Sequence, residues 1–187
     1  MNDADLIAAA RAFAVERHAG LFRLNVAREP YAVHVIEVGR LVALSGGSAA
    51  EIAAGFLHDT VEDTKTTVLE IRAKFGDEVA DIVDGLTDPR EFYGMPTLER
   101  KTLQARRVRD KSDSVKRCKM ADGTSNMRSC AEDPPESWGG QKCREYVEGA
   151  RLVADACAGV SAYLDEEFQK AYAGALALIE RRFPVVV

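Results

Sequence analysis

The chain has 187 residues, of which 47% are apolar and 29% are charged, and its formal net charge is −5 at pH 7. This length and composition predict one globular domain spanning residues 1–187, with enough apolar residues for a core. The net negative charge disfavours nonspecific binding to nucleic acid or to an anionic membrane. An anionic ligand would therefore need a local positive field from a metal and a few Arg or Lys side chains.

Neither a membrane span nor a secretion signal is predicted. No apolar run approaches the length of a membrane span, and residues 1–20 carry Asp3, Asp5 and Glu16 instead of a basic segment followed by an apolar one. The four cysteines form no C-x-x-C pair, which favours free thiols in a reducing compartment over disulfides or a zinc knuckle. We expect a cytoplasmic protein.

Apolar residues recur at helical spacing along most of the chain, and no stretch alternates as a strand would. The predicted helices, in chain order, cover residues 4–18, 31–44, 48–59, 67–75, 77–86, 98–109, 115–126, 141–157 and 161–182. Loops are predicted at 19–30, 88–97 and 132–140, the last two being rich in Pro and Gly. The fold class is therefore all-α, a single helical bundle of about eight to ten helices.

Local signals support several of these helix boundaries. Ser48 and Glu51 match a capping box, in which hydroxyl and carboxylate accept hydrogen bonds from free amides at a helix start. Thr67 and Glu70 repeat the pattern, and Gly76 is expected to end the helix that follows. His18 is interpreted as a structural residue at the end of the first helix. The basic run at 100–111 is interpreted as a solvated helix face.

Two histidines and two aspartates are candidates for a metal site: His34, the pair His58-Asp59, and the distant Asp122. Two imidazoles and two carboxylates can hold one divalent ion with open positions, and such an ion acidifies bound water. His34 alone, among apolar neighbours, also fits a core histidine bonded to a carbonyl. A carboxylate buried beside an imidazole is costly without a compensating cation, and a metal is the simplest one.

These residues carry a family resemblance. His34, His58-Asp59 and Asp122 follow the H…HD…D order of the HD phosphohydrolase superfamily, and the wider resemblance extends over about residues 5–180. The sequence is most similar to the Rel/Spo-type small alarmone hydrolases. The matching segments are GFLHDTVEDT at 55–64, FGDEV at 75–79, LTD at 86–88, Ala121-Asp122 with NMR at 126–128, and PESW at 135–138 with Glu145-Tyr146.

The resemblance implies an HD-domain fold, one divalent metal, specifically manganese, and roles for individual side chains. His34, His58, Asp59 and Asp122 would be the metal ligands. Glu62 and Asp63, four residues after His58 and Asp59, would hold and deprotonate the attacking water. The implied substrate-binding residues are Arg23 at the base, Asn126 at the nucleoside, and Lys142 and Tyr146 at phosphate and sugar.

The sequence departs from the family pattern at three positions that usually carry a cation. Leu24 stands where a Lys usually follows Arg23, Gly123 follows Asp122 in place of Arg or Lys, and Thr97 replaces a Lys of close relatives. Leu24 would then contact the base through apolar atoms. Phosphate binding would be reassigned to Lys119 or Arg128.

We expect a metal-dependent hydrolase that removes pyrophosphate from the 3′ position of guanosine or adenosine alarmones, (p)ppGpp or (p)ppApp. One alternative is a nucleotide 2′- or 3′-monophosphatase, for example on NADPH. Another is a non-catalytic helical module that binds nucleotide without metal. The expected partner is a small-molecule nucleotide, without nucleic acid or membrane, and the sequence leaves open whether the chain forms a homodimer.

Overall fold

A computed structural model describes residues 1–184, and α-helices make up most of them. In chain order the helices are α1 (Asp3–Arg17), α2 (Tyr31–Leu44), α3 (Ala49–Leu57), α4 (Thr60–Asp63), α5 (Val68–Phe75), α6 (Asp77–Leu86), α7 (Thr97–Arg109), α8 (Asp113–Glu132), α9 (Gly140–Cys157) and α10 (Ala162–Arg182). Arg90–Phe92 form a 3-10 helix. Within 1–184 the only β-type pairing is an isolated bridge between Phe22 and Pro30. The all-α prediction is confirmed.

Several helices begin at the residues that the sequence predicts. Both bonds of the capping box are present, because the Ser48 hydroxyl accepts from the Glu51 amide at 3.2 Å and the Glu51 carboxylate accepts from the Ser48 amide at 2.7 Å. The Thr67 hydroxyl likewise accepts from the Glu70 amide at 3.2 Å. His18 is the C-cap of α1, as expected for a structural residue.

Most helix boundaries lie within two residues of the prediction, and two of the differences affect the residues of the candidate site or the helix that carries them. α3 ends at Leu57, so His58 and Asp59 lie at the junction with the short helix α4. α8 continues to Glu132 instead of ending at residue 126, and Gly123 lies within it. The added turns bury Met127 and Cys130, so tertiary packing outweighs the low helix propensity of this segment.

α8 lies at the centre of the bundle and packs against α2, α3, α6, α7, α9 and α10. The buried apolar side chains of residues 1–184 form a core cluster around it. α2 and α3 cross closely because both carry glycine at the contact. A Cβ at Gly39 would lie 2.4 Å from Phe56 Cε1, and one at Gly55 would lie 3.2 Å from Gly39 Cα.

In the part of the chain that the structure describes, no helix is long and apolar enough to cross a membrane.

Candidate metal centre

Four side chains from three parts of the fold meet at one point: His34 from α2, His58 and Asp59 from the α3–α4 junction, and Asp122 from α8. His34 Nε2 lies 3.2 Å from His58 Nε2. Asp59 Oδ2 lies 2.9 Å from His58 Nε2 and 3.4 Å from His34 Nε2. Asp122 Oδ1 lies 3.5 Å from His34 Nε2 and 3.7 Å from His58 Nε2. The four candidate ligands of the sequence analysis are thus adjacent.

Hydrogen bonds fix the tautomers of both imidazoles. His58 Nδ1 lies 3.0 Å from the Gly55 carbonyl oxygen, which can only accept, so Nδ1 carries the proton. His34 Nδ1 lies 2.9 Å from Ser125 Oγ, whose own proton is donated to Glu37 Oε2 at 2.6 Å. His34 Nδ1 is therefore also protonated. In the neutral form that a metal ligand needs, each ring therefore directs an Nε2 lone pair toward the same point.

This arrangement fits a divalent metal. When both rings are deprotonated, two lone pairs 3.2 Å apart beside two carboxylates repel unless a cation lies between them. Donor atoms that share one ion at about 2.0–2.2 Å lie about 3.0–3.5 Å from each other, which is close to the separations observed. His34, His58 and Asp59 also offer ligand atoms that all lie within 4.8 Å of one another.

The pKa values of His58, Asp59 and Asp122 show that the site favours positive charge. Burial alone would lower the pKa of His58, but the charge and hydrogen bond of Asp59 raise it to about 9. Burial opposes ionisation of Asp59 and Asp122, yet the pKa of each is lowered, by His58 at Asp59 and by Lys119 at Asp122. Both carboxylates are therefore ionised at neutral pH and available as ligands.

Glu62 and Asp63 lie on α4, next to this cluster and on the wall of the same cavity. Burial and then the charge of Asp59 raise the pKa of Glu62 to about 7 and raise that of Asp63 as well. Glu62 Oε1 accepts a hydrogen bond from the Asp88 amide at 2.7 Å. Carboxylates with pKa values raised toward neutrality are suited to proton transfer.

A cavity of about 470 Å³ extends from the cluster, and the predicted base-binding residues lie on its wall. Arg23 and Leu24 precede α2, and the Arg23 guanidinium donates to Asn126 Oδ1 at 3.0 Å. The Asn126 amide in turn donates to Asp122 Oδ1. Leu24 is 81% exposed at the cavity mouth. The cavity is large enough for a nucleotide.

Besides Arg23, three cations line the cavity. Lys119 lines the cavity and its Nζ lies 3.2 Å from Asp122 Oδ2, while its role in phosphate binding stays a prediction. Arg100 and Lys101 of α7 also line it, so interpreting the whole basic run as a solvated face was wrong. α7 packs along α9, which turns its first basic pair inward, while Arg106 and Arg109 stay exposed.

Two predicted phosphate-binding residues are not on the cavity wall. Arg128 pairs with Glu37 at 2.7 Å and with Glu167, and these acids hold its guanidinium away from the cavity. Lys142 is exposed, with its ammonium 5.6 Å from the centre of the Trp138 ring. Tyr146, which was assigned to phosphate and sugar together with Lys142, does line the cavity, and its ring centre lies 5.0 Å from that of Trp138.

Other side chains at the site were not predicted from the sequence. The Tyr31 hydroxyl donates to Asp59 Oδ2 at 2.6 Å, and its ring stacks on His18 at 5.1 Å. Asp88 accepts a hydrogen bond from the Gln104 amide on the cavity wall. Tyr31 could have been found from its position three residues before His34 on one helix face. Gln104 gave no local signal, because only the packing of α7 places it there.

The fold and the ligand cluster define a member of the HD domain family, and the family profile matches residues 10–145. The chain belongs to this family. It is 37% identical to the guanosine-3′,5′-bis(diphosphate) 3′-pyrophosphohydrolase MESH1 of Xenopus tropicalis, over 88% of this chain and 91% of that protein. Human MESH1 is 35% identical over 82% of this chain and 86% of its own length.

A solved structure agrees with these relatives. It is described as a metazoan orthologue of SpoT that hydrolyses ppGpp, and it superimposes with a TM-score of 0.81 at 25% identity, covering 97% of each chain. The resemblance to Rel/Spo-type small alarmone hydrolases that the motifs indicated is confirmed.

Proposed function

We propose that this protein is a metal-dependent 3′-pyrophosphohydrolase of nucleotide alarmones and releases pyrophosphate from (p)ppGpp or (p)ppApp. The observation that carries the proposal is the convergence of His34, His58, Asp59 and Asp122 at the end of a nucleotide-sized cavity whose wall also holds two acids of raised pKa. Relatives that match most of the chain carry the name of this activity.

In this proposal His34, His58, Asp59 and Asp122 hold one divalent ion, with manganese as the specific expectation. When bound, the ion supplies an acidified water molecule and neutralises charge on the phosphoryl oxygens. Glu62 and Asp63 orient the water and accept its proton at a carboxylate oxygen. The Asp88 amide fixes one oxygen of Glu62, which leaves the other free for that role.

We further propose that Arg100 and Lys101 bind substrate phosphates together with Lys119. Neither Arg100 nor Lys101 forms a salt bridge within residues 1–184, and Arg100 Nε is buried without a hydrogen-bond partner. Burial, and then repulsion by Lys119, lowers the pKa of Lys101 to about 8. Desolvated, unpaired cations are stabilised by a bound anion, so these two residues can replace the cations missing at Thr97 and Gly123.

The test is incubation of the purified protein with Mn²⁺ and each of pppGpp, ppGpp, ppApp and NADPH, followed by separation of the products by ion-exchange chromatography. Release of pyrophosphate from a 3′-pyrophosphorylated nucleotide is expected, and loss of metal content together with turnover is expected in Asp122→Ala. Phosphate release from NADPH alone would favour the monophosphatase. Turnover by metal-free Asp122→Ala would refute the metal mechanism.

The base preference follows from Leu24. A pocket discriminates strongly only when its polar groups would be left unpaired by the wrong base, and Leu24 contributes packing instead. We expect ppApp to be hydrolysed at a rate comparable to or above that of ppGpp, and Leu24→Lys to shift the preference toward guanine. The measurement is the ratio of kcat/KM for the two substrates, and strict guanine selectivity of the unaltered protein would contradict it.

The cytoplasmic location and the single domain over 1–187 stay predictions, and homodimer formation stays an open question.

A further inference from the structure

A chain of polar contacts leads from His34 away from the cavity toward the surface between α2, α8 and α10. His34 Nδ1 lies 2.9 Å from Ser125 Oγ, and the Ser125 hydroxyl donates to Glu37 Oε2 at 2.6 Å. Glu37 Oε1 accepts from Arg128 Nη1 at 2.7 Å, and Arg128 also contacts Glu167. No step of the proposed hydrolysis uses Ser125, Glu37 or Arg128, so their connection to His34 needs its own explanation.

The charge state of Glu37 sets the donor and the acceptor in each hydrogen bond between His34 and Arg128. Burial opposes ionisation of Glu37, but hydrogen bonds from Ser125 and Arg128 lower its pKa, so it is a carboxylate at neutral pH. A carboxylate only accepts, so the Ser125 proton is committed to Glu37. Ser125 Oγ must then accept from His34 Nδ1, so in the neutral ring the lone pair lies on Nε2 and is directed at the metal centre.

The positions of these residues make the contact rigid. His34 and Glu37 lie one turn apart on α2, while Ser125 and Arg128 lie one turn apart on the facing helix α8. His34 and Ser125 are each 1% exposed, so no water competes for their hydrogen bond. Asp122, the candidate ligand from α8, lies one turn before Ser125. The same pair of helices therefore holds two ligands and the groups that orient one of them.

We propose that Ser125 and Glu37 are positioning residues for metal binding: Ser125 fixes the tautomer and ring orientation of His34, and the carboxylate of Glu37, acting through the serine hydroxyl, strengthens Nε2 as a donor. Arg128 holds Glu37 in place. The inference rests on the metal site of the proposed function. Carboxylates that act on a ligating imidazole from behind are a general device, and their loss weakens metal binding.

A purely structural role is the competing explanation. In that case the contacts only stabilise the packing of α2 against α8, and their loss lowers the stability of the metal-free protein without changing the metal affinity of the folded molecules. The positioning role predicts instead that the metal affinity of the folded variants falls strongly. Comparing affinity with metal-free stability therefore separates the two explanations.

The experiment is titration of the metal-free protein with Mn²⁺, with bound metal measured by equilibrium dialysis, in Ser125→Ala, Glu37→Gln and the control Glu167→Gln. Ser125→Ala should weaken binding on the order of 10- to 100-fold, the effect usual for such orienting groups. Glu37→Gln should weaken binding in the same direction but less, because the amide oxygen still accepts the serine proton. Glu167→Gln removes only the outer contact of Arg128 and should bind Mn²⁺ as the unaltered protein does.

Thermal unfolding of each metal-free variant accompanies the titration. Glu37 has a side chain 30% exposed, so Glu37→Gln provides a folded variant even if Ser125→Ala fails to fold. Unchanged Mn²⁺ affinity in folded Ser125→Ala, or in Glu37→Gln if that is the folded variant, would overturn the inference. An equal loss of affinity in Glu167→Gln would also overturn it. If the unaltered protein binds no Mn²⁺, the metal site of the proposed function fails first, so the two failures are distinguishable.

Discussion

At the scale of single residues, Glu62 and Asp63 are the groups whose protonation should control the rate. Glu62→Gln and Asp63→Asn keep the size of each side chain but remove its basicity. We expect turnover to fall on the order of 10²- to 10⁴-fold in either variant while bound metal stays constant. Steady-state kinetics and metal analysis on the same preparations check this. If either variant instead lost its bound metal, the replaced residue would have to be a metal ligand.

The protonation of Glu62 determines in which direction kcat/KM changes with pH. A base acts only when deprotonated, and burial followed by the charge of Asp59 raises the pKa of Glu62 to about 7. A bound divalent ion lowers the pKa of a neighbouring carboxylate, so kcat/KM should fall as pH decreases through a midpoint at or below about 7. Glu62→Gln should lose this limb along with its rate. The exposed Glu78 on α6 offers a matched control, since Glu78→Gln should keep both rate and profile.

The residues that sequence reasoning found at the site are those whose chemistry is costly without a partner. His58-Asp59 after an apolar run, with His34 and Asp122, predicted a cation, and the structure brings the four together. Arg100 was expected in solvent but lines the cavity, and Arg128 was expected at the phosphate but pairs with acids. Both errors have the same cause. A cation on an amphipathic helix faces solvent, a cavity or an acid depending on helix rotation, which only packing determines.

At the scale of helices, the crossing of α2 and α3 sets the distance between His34 and His58. A methyl group at Gly39 would lie 2.4 Å from Phe56 Cε1, so Gly39→Ala must displace the buried Phe56 ring or push the helices apart. Overpacking of this kind costs about 1–3 kcal/mol in the free energy of unfolding. Urea denaturation should show this loss, and Mn²⁺ should bind the variant more weakly.

Gly123 provides the matched control within α8. A Cβ there would contact only Phe168 Cε2, at 3.8 Å, and the helix interior favours Ala over Gly by roughly 0.5–1 kcal/mol. Gly123→Ala should therefore be neutral or stabilising in urea. Equal destabilisation by both substitutions would show that close approach at Gly39 is not the cause.

Helix boundaries were predictable where a side chain satisfies free backbone groups, as at Ser48 and Thr67. They were not predictable where tertiary burial decides. The polar sequence after Asp122 gave no reason to extend α8 to Glu132, and the extension follows from the packing of α8 against α10.

At the scale of the whole molecule, metal binding and folding should be coupled. At a free Mn²⁺ concentration one hundred times Kd, binding stabilises the native state by about 2.7 kcal/mol. For a chain of this size Tm should rise by roughly 5–10 °C. Scanning calorimetry with Mn²⁺ and with a chelator measures this shift, and Asp122→Ala should show little or none of it.

The pH dependence of stability should differ between the metal-free and the Mn²⁺-bound protein. In metal-free protein the pKa of His58 is raised to about 9, so its stabilising contribution is complete below about pH 6.5 and disappears as pH rises through 9. Metal needs the deprotonated ring, so the Tm increment from Mn²⁺ should grow over the same window. Parallel pH trends with and without metal would contradict this.

The ligands of the candidate metal centre lie far apart along the chain, and this has a consequence for the newly made protein. During synthesis from the N-terminus, His34, His58 and Asp59 emerge long before Asp122 and the helix that carries it. Bringing them together requires closing a long loop. The entropy cost of this step slows folding, and the native contacts that form afterwards offset it. A nascent chain stalled before α8 can offer three donors to passing ions but not the fourth, so tight metal capture would mark the completion of folding.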